Sequence, residues 1–93
     1  MRLEWEIQAL GDRADIFEFI YQFSPQAAER TDEIIEAKAE LLLIQPYMGI
    51  EKQGRPGRSL IVTEVSMILA YAIDQQNEVV RIVRVFHQKQ KQP

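Results

Sequence analysis

A strand, two helices and then three strands is the order that the sequence predicts: an α+β domain with a helical hairpin on one face of a small antiparallel sheet. Three observations predict it. The first residues alternate apolar with polar; the stretch from Ala9 to Leu42 carries apolar residues at helical spacing, broken at Ser24-Pro25; and the C-terminal third holds three β-branched runs separated by polar turns.

From Arg2 to Gln8, the residues Leu3, Trp5 and Ile7 fall on one face and Arg2, Glu4, Glu6 and Gln8 on the other, the pattern of a half-buried strand. From Ala9 the period changes. Ile16, Phe19, Ile20 and Phe23 recur at helical spacing with Asp15, Glu18 and Gln22 opposite, so Trp5, Phe19 and Phe23 are expected in the core. Ser24 before Pro25 is an N-cap followed by proline at the first helical position. The second helix then runs with Ala27, Thr31, Ile34, Ile35, Lys38, Leu41 and Leu42 along one side and Glu29, Asp32, Glu33, Glu36 and Glu40 on the solvated side. It ends at Gln45-Pro46-Tyr47-Met48-Gly49. A loop from Gly49 to Gly57 leads into the strands, which turn near Thr63-Glu64 and at Asp74-Gln75-Gln76-Asn77. The whole of 1–93 reads as one domain, with 88–93 a polar, flexible tail.

The chain has 93 residues, is 46% hydrophobic and holds no cysteine, which excludes disulfides, thiolate metal sites and a cysteine nucleophile. Charges occupy the N-terminal residues where a signal peptide needs an apolar core, and no apolar run approaches membrane-spanning length. A soluble cytoplasmic protein is expected. The net charge of −3 hides an asymmetry. Residues 1–45 hold ten acids against four bases, whereas residues 46–93 hold seven bases against four acids. A basic back half can attract phosphates or an acidic partner, while the overall negative charge weakens steering toward nucleic acid.

Chemistry is sparse. No phosphate-cradling glycine motif, metal-ligand cluster or nucleophile triad is present, and no cofactor or metal is expected. His87 ends the last strand, either as a general acid or base for phosphodiester cleavage, since an imidazole can both take and give a proton, or as a surface histidine. Arg58 stands at a strand entry, ready for a phosphate or a partner's carboxylate, or else for an ion pair with the acidic helices. Arg81 and Arg84 lie three apart, so a regular strand points them to opposite faces. With Val80, Ile82 and Phe86 toward the helices, Arg84 reaches the sheet edge and Arg81, beside Val83, Val85 and His87, is the better partner contact, an assignment that a bulge reverses. Met67, Leu69, Tyr71 and Ile73 form either a partly apolar open face awaiting a docked peptide or the helix-facing core, with Ser66, Ile68, Ala70 and Ala72 exposed instead.

The chain resembles the RelE/ParE toxin superfamily, the toxins of bacterial type II toxin-antitoxin modules. Its motifs occur in the family's order: Ala9, Asp12, Ile16, Phe19 and Ile20; Ser24-Pro25-Gln26-Ala27-Ala28; Leu41-Leu42 and Pro46-Tyr47-Met48-Gly49; Gly57-Arg58-Ser59-Leu60; Tyr71; and Ile82-Val83-Arg84-Val85-Phe86-His87. The resemblance implies a cognate antitoxin as partner, a toxin-antitoxin hetero-oligomer, and one of two targets. ParE-like members inhibit DNA gyrase by binding, and RelE-like members cut messenger RNA on the ribosome. The latter are usually strongly basic; here the third strand offers Ser66-Met67-Ile68-Leu69, and Gln88-Lys89-Gln90-Lys91 after His87 has no aromatic residue. ParE-like gyrase inhibition is therefore the preferred expectation, with Arg58, Tyr71, Arg81 and Arg84 as target or partner contacts. The alternatives are a ribosome-dependent nuclease using His87, and a non-toxic binding module on the same fold.

Overall fold

β1 (Arg2–Trp5) buries Leu3 and Trp5 against the core, but it is shorter than its alternation suggests. Glu6 donates its N–H to the Ile82 carbonyl and then serves as the first cap of α1 (Ile7–Tyr21), so the helix begins two residues before Ala9. Ile7, apolar in the strand pattern, is 87% exposed as a result. The computed structural model describes residues 1–51, 54 and 56–89.

α2 (Pro25–Leu41) starts as its sequence dictates: the Ser24 hydroxyl accepts the Ala27 N–H at 3.1 Å, with Pro25 at the first helical position. The two helices form a hairpin whose buried residues are mostly small, Ala9, Ala28, Thr31 and Ala39, with Ile35 the exception. Small side chains let the helices approach closely and leave no room for aromatic rings. Phe19 and Phe23, expected in the core, are 64% and 75% exposed, pairing edge to face with each other on the outside. Only Trp5 of the three aromatics packs against the core. The Arg13 guanidinium lies 4.4 Å from the centre of the Trp5 ring, forks onto the Asp32 carboxylate at 2.8 and 2.9 Å and reaches Glu36 at 3.3 Å. One cation thus ties β1, α1 and α2 together, and Asp32 and Glu36 do more than face solvent. The hydrogen bonds that Arg13 donates to Asp32 hold its pKa above the ordinary value.

The sheet has the order β1-β5-β4-β3-β2, with β2 at Ile50–Glu51, β3 at Arg58–Val62, β4 at Met67–Asp74 and β5 at Val79–His87. It is mixed, where an antiparallel sheet was expected. β3, β4 and β5 form the antiparallel meander, but β1 runs parallel to β5, since the chain crosses the whole hairpin and meander before returning beside its own start. β2, inside the expected Gly49–Gly57 loop, is too short to show periodicity. Of that loop, Lys52, Gln53 and Arg55 lie outside the described residues, as do 90–93 of the expected flexible tail. Gln88 donates its N–H to the Ser66 carbonyl at 2.8 Å.

A bulge decides which side chains face the helices. Tyr71 pairs with Ile82 and Ala70 with Arg84, leaving Val83 without a partner in the ladder. Leu69 and Tyr71 therefore align with Val85 and Ile82, and these join Leu60, Val62, Met67, Val80, Ile35, Ala39 and Leu42 in the core. The face of Met67, Leu69 and Tyr71 is the helix-facing one. On the opposite face Ile68, Ala70 and Ala72 pair with Phe86, Arg84 and Arg81. The bulge corrects the regular-strand expectation: Val85, not Phe86, joins Val80 and Ile82, and both arginines stand on the face away from the core.

Candidate functional site

Tyr71 anchors the most structured polar region of the molecule. Its ring is buried in β4, and its hydroxyl donates to the Pro46 carbonyl at 2.7 Å and accepts the Gly49 N–H at 2.9 Å. Burial outweighs that bond and the nearby Arg58 charge, so the phenol titrates above its ordinary value. Gly49 must be glycine, since a β-carbon there would lie 2.7 Å from the Tyr71 ring and hydroxyl and 2.9 Å from the Ser59 carbonyl oxygen.

Arg58, directly across the ladder from Tyr71, clasps the same loop. Its Nη1 donates to the Gly49 carbonyl at 2.9 Å and, at 3.4 Å, to that of Tyr47, while the guanidinium lies 4.9 Å from the centre of the Tyr47 ring. Gln75, from the β4–β5 turn, donates to the Tyr47 hydroxyl. Arg58, Tyr47 and Gln75 line an open recess with Glu51, Gly57 and Ile73. The ion pair between Arg58 and the acidic helices, one of the two sequence-based alternatives, is not formed.

The other arginines of the sheet are neutralised. Arg81 pairs with Glu4 at 3.3 Å and with Asp74 at 3.8 Å. Asp74 also accepts from the side chain and backbone N–H of Asn77, and these bonds hold its pKa below the ordinary value. Arg84 forks onto Asp12 of α1 at 2.8 and 3.1 Å, and the same carboxylate accepts the Val85 N–H at 2.8 Å. Asp12 thereby raises the Arg84 pKa. His87 pairs with Met67 at the end of β5, and its Nδ1 accepts the Lys89 N–H at 3.1 Å, placing the proton of the neutral ring on Nε2.

Of the residues singled out from sequence, then, Arg58 and Tyr71 come together around the 46–49 loop, while Arg81 and Arg84 share the opposite face. Tyr47 and Gln75 complete the recess across 28 positions of sequence, a contact no local pattern announces. The Pro46-Tyr47-Met48-Gly49 motif was the one available signal.

A helical hairpin on a small mixed sheet, bearing guanidiniums, hydroxyls and an amide, defines a small α+β domain. The family described as ParE toxin of type II toxin-antitoxin system, parDE matches residues 3–92, and the chain belongs to it. A solved chain described as the chromosomal ParDE TA system from P. aeruginosa superposes with a TM-score of 0.80 at 17% identity, covering 94% of this chain and 95% of that one; at this identity the likeness is one of fold. No curated protein matches the chain. No helix among the described residues is long and apolar enough to cross a membrane.

Proposed function

We propose that this chain is the toxin of a ParE-like module, inhibiting DNA gyrase by binding and held inactive by a cognate antitoxin. The observation that carries this reading beyond the family is the pairing of Arg81 with Glu4 and Asp74 and of Arg84 with Asp12. Cations already neutralised by carboxylates are poor ligands for a phosphodiester backbone, so the face of the sheet that carries Arg81 and Arg84 is poorly suited to grip RNA. Arg81 and Arg84 accordingly shape a surface for protein recognition rather than grip phosphates.

Exposed apolar side chains support a covering partner. Leu10 and Tyr21 are exposed along one side of α1 and Phe19, paired with Phe23, along another, and Ile44 and Ile50, 76% and 65% exposed, flank the 46–49 loop. Exposed apolar side chains that meet one another, as Phe19 and Phe23 do, mark interaction sites. The antitoxin segment covers these positions, not the Met67–Tyr71 face, which the helices already occupy.

Induction of the protein without antitoxin tests the reading. DNA-damage signalling should rise before bulk translation falls; an immediate stop of translation without that signal contradicts it, and unaltered growth points to a non-toxic binding module.

A further inference from the structure

We propose that the recess formed by Arg58, Tyr47 and Gln75 receives a single carboxylate, the side chain of an aspartate or glutamate on a protein partner. Arg2, Arg13, Arg81 and Arg84 each have a carboxylate within 4 Å. Arg58 has none among the described residues, although it is half-buried. A half-buried guanidinium with no carboxylate within 4 Å among the described residues is left to pair with an incoming anion.

The geometry is prepared for one. Arg58 is held by two loop carbonyls through Nη1 and rests on the Tyr47 ring, so its position is set while Nε and Nη2 make no hydrogen bond among the described residues. That pair of nitrogens matches the two oxygens of a carboxylate. The Tyr47 hydroxyl accepts from Gln75, which leaves its own hydrogen as a further donor at the recess. Arg30, the other arginine without a carboxylate among the described residues, is exposed on α2 and has none of these supports.

The same features select a carboxylate over a phosphate. A single guanidinium offers one positive charge, Glu51 stands directly across from Arg58 in the β2–β3 ladder, and the chain as a whole is negative. A dianion meets repulsion from Glu51 that a monoanion feels only half as strongly. The identity of the carboxylate's owner as a protein partner rests on the function proposed above; the chemistry of the recess does not.

A titration followed by NMR separates the two. N-acetylglutamate α-amide, whose only charge is its side-chain carboxylate, is added to the folded protein while the Arg58 Nε–H and the Tyr47 ring are observed, with the Arg30 Nε–H as internal control. Arg58 and Tyr47 should shift saturably and Arg30 should not. Arg58→Lys, which keeps the charge and loses the fork, should raise the half-saturating concentration about tenfold or more, and Glu51→Gln should lower it severalfold. The wild-type protein and Glu51→Gln decide the matter even if Arg58→Lys disturbs the loop. An Arg58 response no larger than that of Arg30 overturns the proposal, and so does inorganic phosphate saturating the recess at a tenfold lower concentration than the carboxylate. A non-toxic protein that still passes this titration refutes the function and leaves the recess standing.

Discussion

Tyr71 concentrates the consequences of single side chains. Its hydroxyl holds both Pro46 and Gly49, so Tyr71→Phe should cost about 1–3 kcal/mol at neutral pH by leaving two backbone groups unpaired. The phenol also predicts an alkaline limb. Its pKa in the folded protein lies above that of the unfolded chain, so its contribution is complete below pH about 10 and declines as pH rises through the folded value. Urea unfolding of both proteins across that range should show their stability difference narrowing; a constant difference would mean that the ring is not burdened by ionisation. Gly49→Ala forces a β-carbon against Tyr71 and Ser59, and should lower stability by about 1–3 kcal/mol. An unchanged urea midpoint would contradict this. The sequence marked Arg58 and Tyr71 by strand position and family order. Their shared grip on the 46–49 loop was not legible, because it joins elements distant along the chain through backbone carbonyls that carry no residue signature.

Elements were legible wherever local chemistry alone decides them. Ser24-Pro25 starts α2, and both meander turns fall where polar clusters interrupt β-branched runs. Pairing decided the rest. The direction of β1, the two-residue β2 and the bulge at Val83 depend on neighbouring strands, and a bulge turns residues three apart onto one face. The helix aromatics were misplaced for a similar reason: periodicity identifies an apolar stripe, but the alanines decide which stripe the hairpin can bury. The bulge region yields its own prediction. Asp12 receives both Arg84 and the Val85 N–H, so Asp12→Ala should destabilise by about 1–3 kcal/mol. Arg81→Ala, which loses only part-exposed ion pairs, should change stability by less than about 1 kcal/mol. Thermal unfolding of the two variants checks the ranking, and equal losses would refute the special role of Asp12 at the strand edge.

At the scale of the whole molecule, an acidic front half folds into the hairpin and a more basic back half into most of the sheet, yet the two are stitched together. Arg84 reaches Asp12, Arg81 reaches Glu4, and Lys38 of α2 pairs with Glu64 at 3.1 Å. Two of the basic side chains that the back half offered for outside partners, Arg81 and Arg84, are thus used within the fold. The most direct test of the proposal that this chain inhibits DNA gyrase by binding is the supercoiling of relaxed plasmid by purified DNA gyrase with increasing amounts of the folded chain. The account predicts a dose-dependent loss of supercoiling that His87→Ala leaves unchanged. Full supercoiling at a large molar excess of the wild-type chain would contradict it.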